Sequence, residues 1–473
     1  MSGLSEITRL ARYLAPYRGR ITIAAIALVT ASTTMLALGQ GLRWLVDAGL
    51  AAGHPQLLDR ALLAILGIVV LLSLATAVRY YQVTWIGERV AADLRKAVFN
   101  HLLAMEPGFF EAQKTGELLS RLSADTTLLQ SAIATSVSIA LRNLLLLIGG
   151  TTLLAITSPK LTALVALCIP LVIGPIVIYG RRVRRLSRAT QDRVGDVGAY
   201  ADEIFHGIRT VQSFGHETID RENFGNRVES SFSTALSRIA TRARLTAIII
   251  FLVFGAIGLI LWVGGHDMLA GRISAGDLSA FVFYAVLVAG SVGAIAEVIG
   301  ELHQAAGATE RLLELLASRP VITEPVDPVA LPTQQRGDVA FRAVTFCYPG
   351  RDNHPALNRF TLTINPGETV ALVGPSGAGK STVFNLLLRF YDPTSGELTL
   401  DNIALNRIAL SDLRKRIAIV SQEPTLFATS VLENIRYGDP DADETAIYAA
   451  AEAAFATEFI EKLPDRYETL LGE

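Results

Sequence analysis

Residues 370–388 read VALVGPSGAGKSTVFNLLL, and this stretch decides how the last third of the chain folds. An apolar strand pattern, Val370 to Val373, runs into Gly374, Pro375, Ser376, Gly377, Ala378, Gly379, Lys380, Ser381 and Thr382, and a helical pattern follows from Val383. The form is G-x-x-x-x-G-K-S/T, in the strand, loop and helix context that the motif requires. Glycines let successive backbone N–H groups turn inward around an anion, and the helix that follows adds the positive end of its dipole. Phosphates are the natural occupant. Lys380 is placed to reach the outer phosphates as a point charge, and the Ser381 hydroxyl to complete the coordination of a magnesium ion. A glycine-rich turn beside a surface lysine is the plainer alternative, and the full context argues against it.

Outward from this loop the composition changes character. The chain has 473 residues, 51% of them hydrophobic, with a formal net charge of −2. That apolar excess does not suit an ordinary soluble domain, and near-neutrality excludes the basic footprint of a nucleic-acid binder. Cys168 and Cys347 are the two cysteines, too few for a disulfide framework or a metal cluster.

Six runs can cross a bilayer, near 21–46, 61–83, 133–156, 161–179, 245–263 and 278–300. An even number puts both ends of the membrane portion on one side. The N-terminal segment (Arg9, Arg12, Arg18, Arg20) and the two long connections (84–130 and 180–244) carry 21 lysines and arginines. The three opposite connections carry Arg60, Lys160 and Arg272. The positive-inside rule therefore puts the N-terminus and the phosphate loop in the cytoplasm. The long connections keep helical spacing, so the spans are expected to continue into the cytoplasm, with short interruptions near Pro107 to Phe110 and near Gly207 and Gly215. Arg43 and Arg79, near the ends of their spans, are expected to snorkel to the interface. Arg142, near the middle of the third span, must face protein or water, either in a buried pair or on the wall of a central cavity. Glu297 and Glu301 lie toward the cytoplasmic end of the sixth span, and Pro170 and Pro175 mark kinks in the fourth.

After a proline-rich stretch (Pro320, Pro325, Pro328, Pro332) the period becomes that of strands: 339–346, 361–364, 370–373, 397–400 and 417–420. An α/β fold built on the phosphate loop is the expected class. Asp401 sits in a hairpin and is rejected as a metal-binding carboxylate.

Further stretches make the reading specific. They are Phe346-Cys347-Tyr348-Pro349, Ile419 to Phe427 and Glu433-Asn434-Ile435-Arg436-Tyr437-Gly438. In this order and spacing the chain resembles a half-transporter of the ATP-binding cassette (ABC) exporter family, over its whole length. The resemblance implies a multi-domain chain: a six-helix all-α transmembrane domain at 1–319, a linker at 320–336 and an α/β nucleotide-binding domain at 337–473. It implies ATP and Mg²⁺ as ligands, Tyr348 stacking on adenine, and Gln422 reaching the metal and the attacking water as the catalytic residue. It likewise makes Thr115 to Leu122 and Arg209 to Phe214 the segments that couple the two domains, gripped by Glu423 to Phe427. The implied partners are the lipid bilayer, a second half-transporter subunit and a small amphipathic, lipidic or drug-like substrate, in a bacterial plasma membrane.

The family pattern also contains a serine-glycine-glycine signature, a strand ending in a metal-binding Asp with a catalytic Glu beside it, and a switch His, none of which the residues up to Glu473 supply. The nucleotide-binding domain is therefore expected to be incomplete in this chain. Nucleotide binding without completed hydrolysis is the expectation, with an apolar edge exposed where the strand entering the loop has no neighbours. A non-catalytic membrane partner that pairs with a complete subunit is the alternative from another functional class.

Overall fold

The computed structural model describes residues 11–51, 55–332, 334, 336–351, 353–422 and 424–472. Arg9 and Glu423, which entered the readings above, lie outside them. The described chain forms two compact units, one of residues 1–104 and 113–319, the other of residues 105–112 and 320–473.

The first unit is a set of six long helices: α1 (Arg12–Ala48), α2 (Pro55–Leu103), α4 (Thr115–Thr157), α5 (Pro159–His206), α7 (Glu217–Leu269) and α8 (Ala275–Ala317). Each is long and apolar enough to cross a membrane, and each contains one of the runs read from the sequence. They are much longer than a crossing needs. At 1.5 Å per residue the 48 residues of α5 extend about 70 Å, more than twice the ~30 Å of a hydrocarbon core. The surplus falls where the sequence keeps helical spacing but gains charge. Two short helices, α3 (Pro107–Ala112) and α6 (Ile208–Ser213), occupy the interruptions. The turn between α4 and α5 is tight, because the Ser158 hydroxyl accepts from the Leu161 N–H and Pro159 opens the helix. α5 passes through Pro170 and Pro175 as one helix.

Polar groups in the spans are handled locally. Lys160 and Arg272, two of the three basic residues on the sparsely charged side, both pair with Asp267, which is 3% exposed. Arg43 pairs with Asp277 at 3.0 Å. Arg79 does not snorkel as expected: it is buried and donates to the Ser138 hydroxyl at 2.6 Å. The reason is positional. α2 continues for 24 residues past position 79, so this arginine faces α4 inside the bundle rather than the end of its helix. Ser136, fully buried, donates to Glu301 at 2.6 Å.

The bundle closes around Leu154, Leu161, Ile260, Phe281 and Tyr284. The Tyr284 ring is wholly buried, and its hydroxyl donates to the Leu36 carbonyl at 2.9 Å. The ring fits because residue 39 is glycine: a Cβ there would meet the ring at 2.5 Å.

In the second unit, β1 (Val339–Phe346), β2 (Leu357–Ile364), β3 (Ser395–Leu400) and β4 (Ile403–Ala404) form an antiparallel sheet of order β2-β1-β3-β4. The helix α9 (Lys380–Leu387) packs Val383 and Leu386 against the sheet residues Phe341, Val344, Leu357 and Leu398. Residues 320–332 are anchored rather than loose, since Ile322 is buried and Leu331 packs on this core.

Two expected strands are absent. Residues 370–373 and 417–420 are extended but unpaired, with Val373 88% and Val420 97% exposed, although Leu372 packs on the core. A strand needs at least one neighbouring strand to take up its N–H and C=O groups. Among the described residues neither segment has one, and the sheet that forms is wholly antiparallel. Short helices α10 (Leu410–Arg414), α11 (Val431–Arg436), α12 (Glu444–Ala453) and α13 (Thr457–Ile460) complete the unit.

Replacing Gly39 by Val forces a branched side chain into the space of the Tyr284 ring. We expect a loss of about 1–3 kcal/mol, read as a lower melting temperature of the detergent-solubilised protein, as for other overpacked sites. Gly67, where an added Cβ meets nothing within 4 Å, serves as the silent control.

Candidate functional site

The glycine-rich loop between residue 373 and α9 has the backbone that its sequence implies. Gly374, Gly377 and Gly379 have φ of +156°, +81° and +85°, values that L side chains disfavour. Gly379 is the N-cap of α9, and a Cβ on it would meet the Ala356 carbonyl oxygen at 2.5 Å. The chain can turn here only without a side chain. Ala378 closes an inner turn by donating its N–H to Pro375. The first N–H groups of α9 have no partner inside their helix and face the loop with the helix dipole behind them.

Lys380 Nζ donates to the carbonyls of Gly374 (2.9 Å) and Pro375 (2.8 Å). The ammonium is thus held across the mouth of the loop. Pro375, Ser376, Gly377, Ala378 and Ser381 are exposed, so the concave face is open. Exposed N–H donors, a tethered ammonium and a hydroxyl beside it form a donor set that suits a polyphosphate with a hard divalent ion. Thr382 is turned the other way. It is buried, and its hydroxyl lies 3.2 Å from that of Tyr348.

This contact places Tyr348 close to the phosphate loop. Its ring is half-buried and meets Phe346 and Tyr391 edge-on, and its hydroxyl also accepts from Asn385 Nδ2 at 3.2 Å. Gln422 lies exposed on a bend, and no hydrogen bond joins it to the loop among the described residues. No cluster of three or more metal-ligating side chains occurs among them either.

The turn after α9 adds residues that the motif does not announce. Arg389, buried and at φ +52°, bonds Asp392 and the Thr323 carbonyl. This fixes Tyr391, whose hydroxyl donates to Glu111 of α3 at 2.8 Å. Burial, and after it the bond to Glu111, hold the Tyr391 phenol well above the ordinary tyrosine range. The sequence assigned coupling to Thr115 to Leu122, which here opens α4, whereas α3, residues 107–112, is the segment grouped with the nucleotide-site residues. The interruption expected near Pro107 to Phe110 is where α3 forms. Arg142 is half-buried, with its Nε shielded from solvent and no hydrogen-bond partner, and it has no ion pair among the described residues.

Six membrane-length helices and a phosphate loop in one chain define an ATP-powered membrane transporter. Residues 21–292 match the family described as ABC transporter transmembrane region, and residues 357–470 the family described as ABC transporter. The chain belongs to the ABC transporter family, as a multi-pass membrane protein of the exporter type whose ATPase is coupled to transport. It is 32% identical over 98% of its length to a Rickettsia typhi protein named "Putative export ATP-binding/permease protein RT0691", covering 80% of that protein. It is 36% identical over its whole length to the mouse ATP-binding cassette sub-family B member 10, mitochondrial, covering 67% of it. A Dictyostelium discoideum ABC transporter B family member 1 is 33% identical over 99% of the chain, with 51% of that protein covered.

A side chain at Gly379 would have to displace backbone at Ala356 and hold a left-handed conformation. We expect Gly379→Ala to reduce binding of a fluorescent ATP analogue by about tenfold or more, at a strain cost of about 1–3 kcal/mol. Gly377→Ala, with φ +81° but open space around it, should be the milder variant.

Proposed function

We propose that this chain is one half of an exporter that uses ATP to move an amphipathic, lipidic or drug-like substrate across the membrane by alternating access. Two subunits form the pump. The N-terminus and the phosphate loop face the cytoplasm of a bacterial cell, at its plasma membrane. The observation that carries the reading is the open, glycine-built loop with its tethered Lys380, in the same chain as six membrane-length helices.

In this reading Gly374 to Thr382 hold the phosphates, Lys380 exchanging its two carbonyl partners for phosphate oxygens. Ser381 and Gln422 hold Mg²⁺, which when bound neutralises charge on the phosphates. Gln422, on its exposed bend, orients the attacking water and follows the state of the site. Tyr348 offers its ring to adenine, a flat apolar contact that needs no hydrogen-bond readout. The long helices carry the resulting movement as rigid rods, and a bundle with two packings opens on one side or the other.

Arg142 fits a place on the pathway. A half-buried arginine in the third span, its Nε shielded from solvent and without a hydrogen-bond partner, favours a substrate that brings its own acceptor and leaves its apolar body among the helices.

Lys380→Ala should weaken ATP binding by about 10- to 100-fold, the worth of one or two hydrogen bonds to a charged group. Unchanged affinity in an equilibrium titration of the purified protein would remove the phosphate-loop reading. Arg142→Leu should leave ATP affinity and the melting temperature unchanged while transport of an anionic amphipathic dye into vesicles falls by at least about tenfold. Transport at the parent rate would take Arg142 off the pathway.

A further inference from the structure

Tyr391 touches the two groups that a coupling device has to join. On one side its ring lies 5.3 Å from that of Tyr348, at an interplanar angle of 82°. On the other its hydroxyl donates to Glu111 at 2.8 Å, and α3 packs closely against the hydroxyl end of the ring, since a Cβ at Gly108 would meet the ring carbon Cε1 at 2.9 Å. Tyr391 is 7% exposed, and the Arg389 turn anchors it, so it cannot move without moving its contacts. Close-packed interiors transmit small displacements instead of absorbing them.

Tyr348, by contrast, has two things it can do. In this structure its hydroxyl bonds Thr382 and Asn385 of α9 and its edge rests on Tyr391. A base stacked on its face shifts that ring, and with it the edge contact. α3 is the covalent link between α2 and α4.

We propose that Tyr391 is a positioning residue that reports occupancy of the base platform at Tyr348 to α3 through the bond to Glu111. The route is distinct from movement about Gln422 and responds to the nucleoside rather than to the phosphates. It rests on the reading of Tyr348 as the base platform. The hydroxyl is well suited to the role: burial and the carboxylate beside it keep the phenol protonated, so it donates to Glu111 throughout the physiological range.

The test is hydrogen exchange over residues 105–112 in the full chain, with ATP or with inorganic tripolyphosphate, which fills the phosphate loop but has no base. ATP should slow exchange in this segment by about tenfold, a shift of about 1.4 kcal/mol in its opening equilibrium. Tripolyphosphate should leave it unchanged. Tyr391→Phe keeps the ring against Tyr348 and Gly108 but removes the donor, so ATP should bind with unaltered affinity and no longer protect the segment. Glu111→Gln, at an exposed position, gives a second variant with little burden on folding, and should show a reduced response. Equal protection by tripolyphosphate, or full protection by ATP in Tyr391→Phe, overturns the relay. Tyr348→Ala separates the two readings. If it leaves ATP affinity intact, the platform is lost. If it weakens ATP while Tyr391→Phe still protects α3, only the relay is lost.

Discussion

A peptide group carried into hydrocarbon has no water to bond, so it must find its partner within its own helix. Nearly everything in the first unit follows from that constraint. It explains why the crossings are unbroken helices even through Pro170 and Pro175, and why the connections on the sparsely charged side are short. Several polar side chains of the bundle and of its short connections are paired. Asp267 takes both Lys160 and Arg272, and Glu301 takes the buried Ser136 hydroxyl. Because helices that satisfy themselves are stiff, extending them beyond the bilayer makes levers at little structural cost.

The second unit answers the opposite problem. There the backbone must present unbonded N–H groups to a ligand, and it does so by leaving regular structure for the glycines at 374, 377 and 379, each in a conformation that a side chain would resist. The loop stays rigid because its flanks are packed. Leu372 and Val383 enter the core on either side, and Thr382 turns its hydroxyl inward to Tyr348. A site that binds by geometry needs this contrast between an open concave face and a fixed support.

Between the two problems lies α3, six residues long, too short to be stable alone. Its position comes from Tyr391 and Gly108, one supplying a ring and a hydroxyl, the other the absence of a side chain. The pairing of Asp125 with Arg311 and of Arg79 with Ser138 plays the same part within the bundle, where a few polar contacts select among apolar packings of similar energy.

The sequence by itself determined the six spans, their helical extensions and the phosphate loop, because each is written in local signals: runs of apolar residues, a 3.6-residue period, and glycines at fixed offsets beside a lysine. It also carried strands 339–346 and 397–400. Tertiary structure alone decided the rest. Whether 370–373 and 417–420 become strands depends on partners far away in the chain, and local pattern cannot supply them. Whether Arg79 snorkels or is buried depends on the helix facing it. That residues 107–112, not 115–122, group with the nucleotide-site residues follows from a ring at position 391, some 280 residues downstream. Contacts of that span leave no periodicity in either segment, so only the folded chain reveals them.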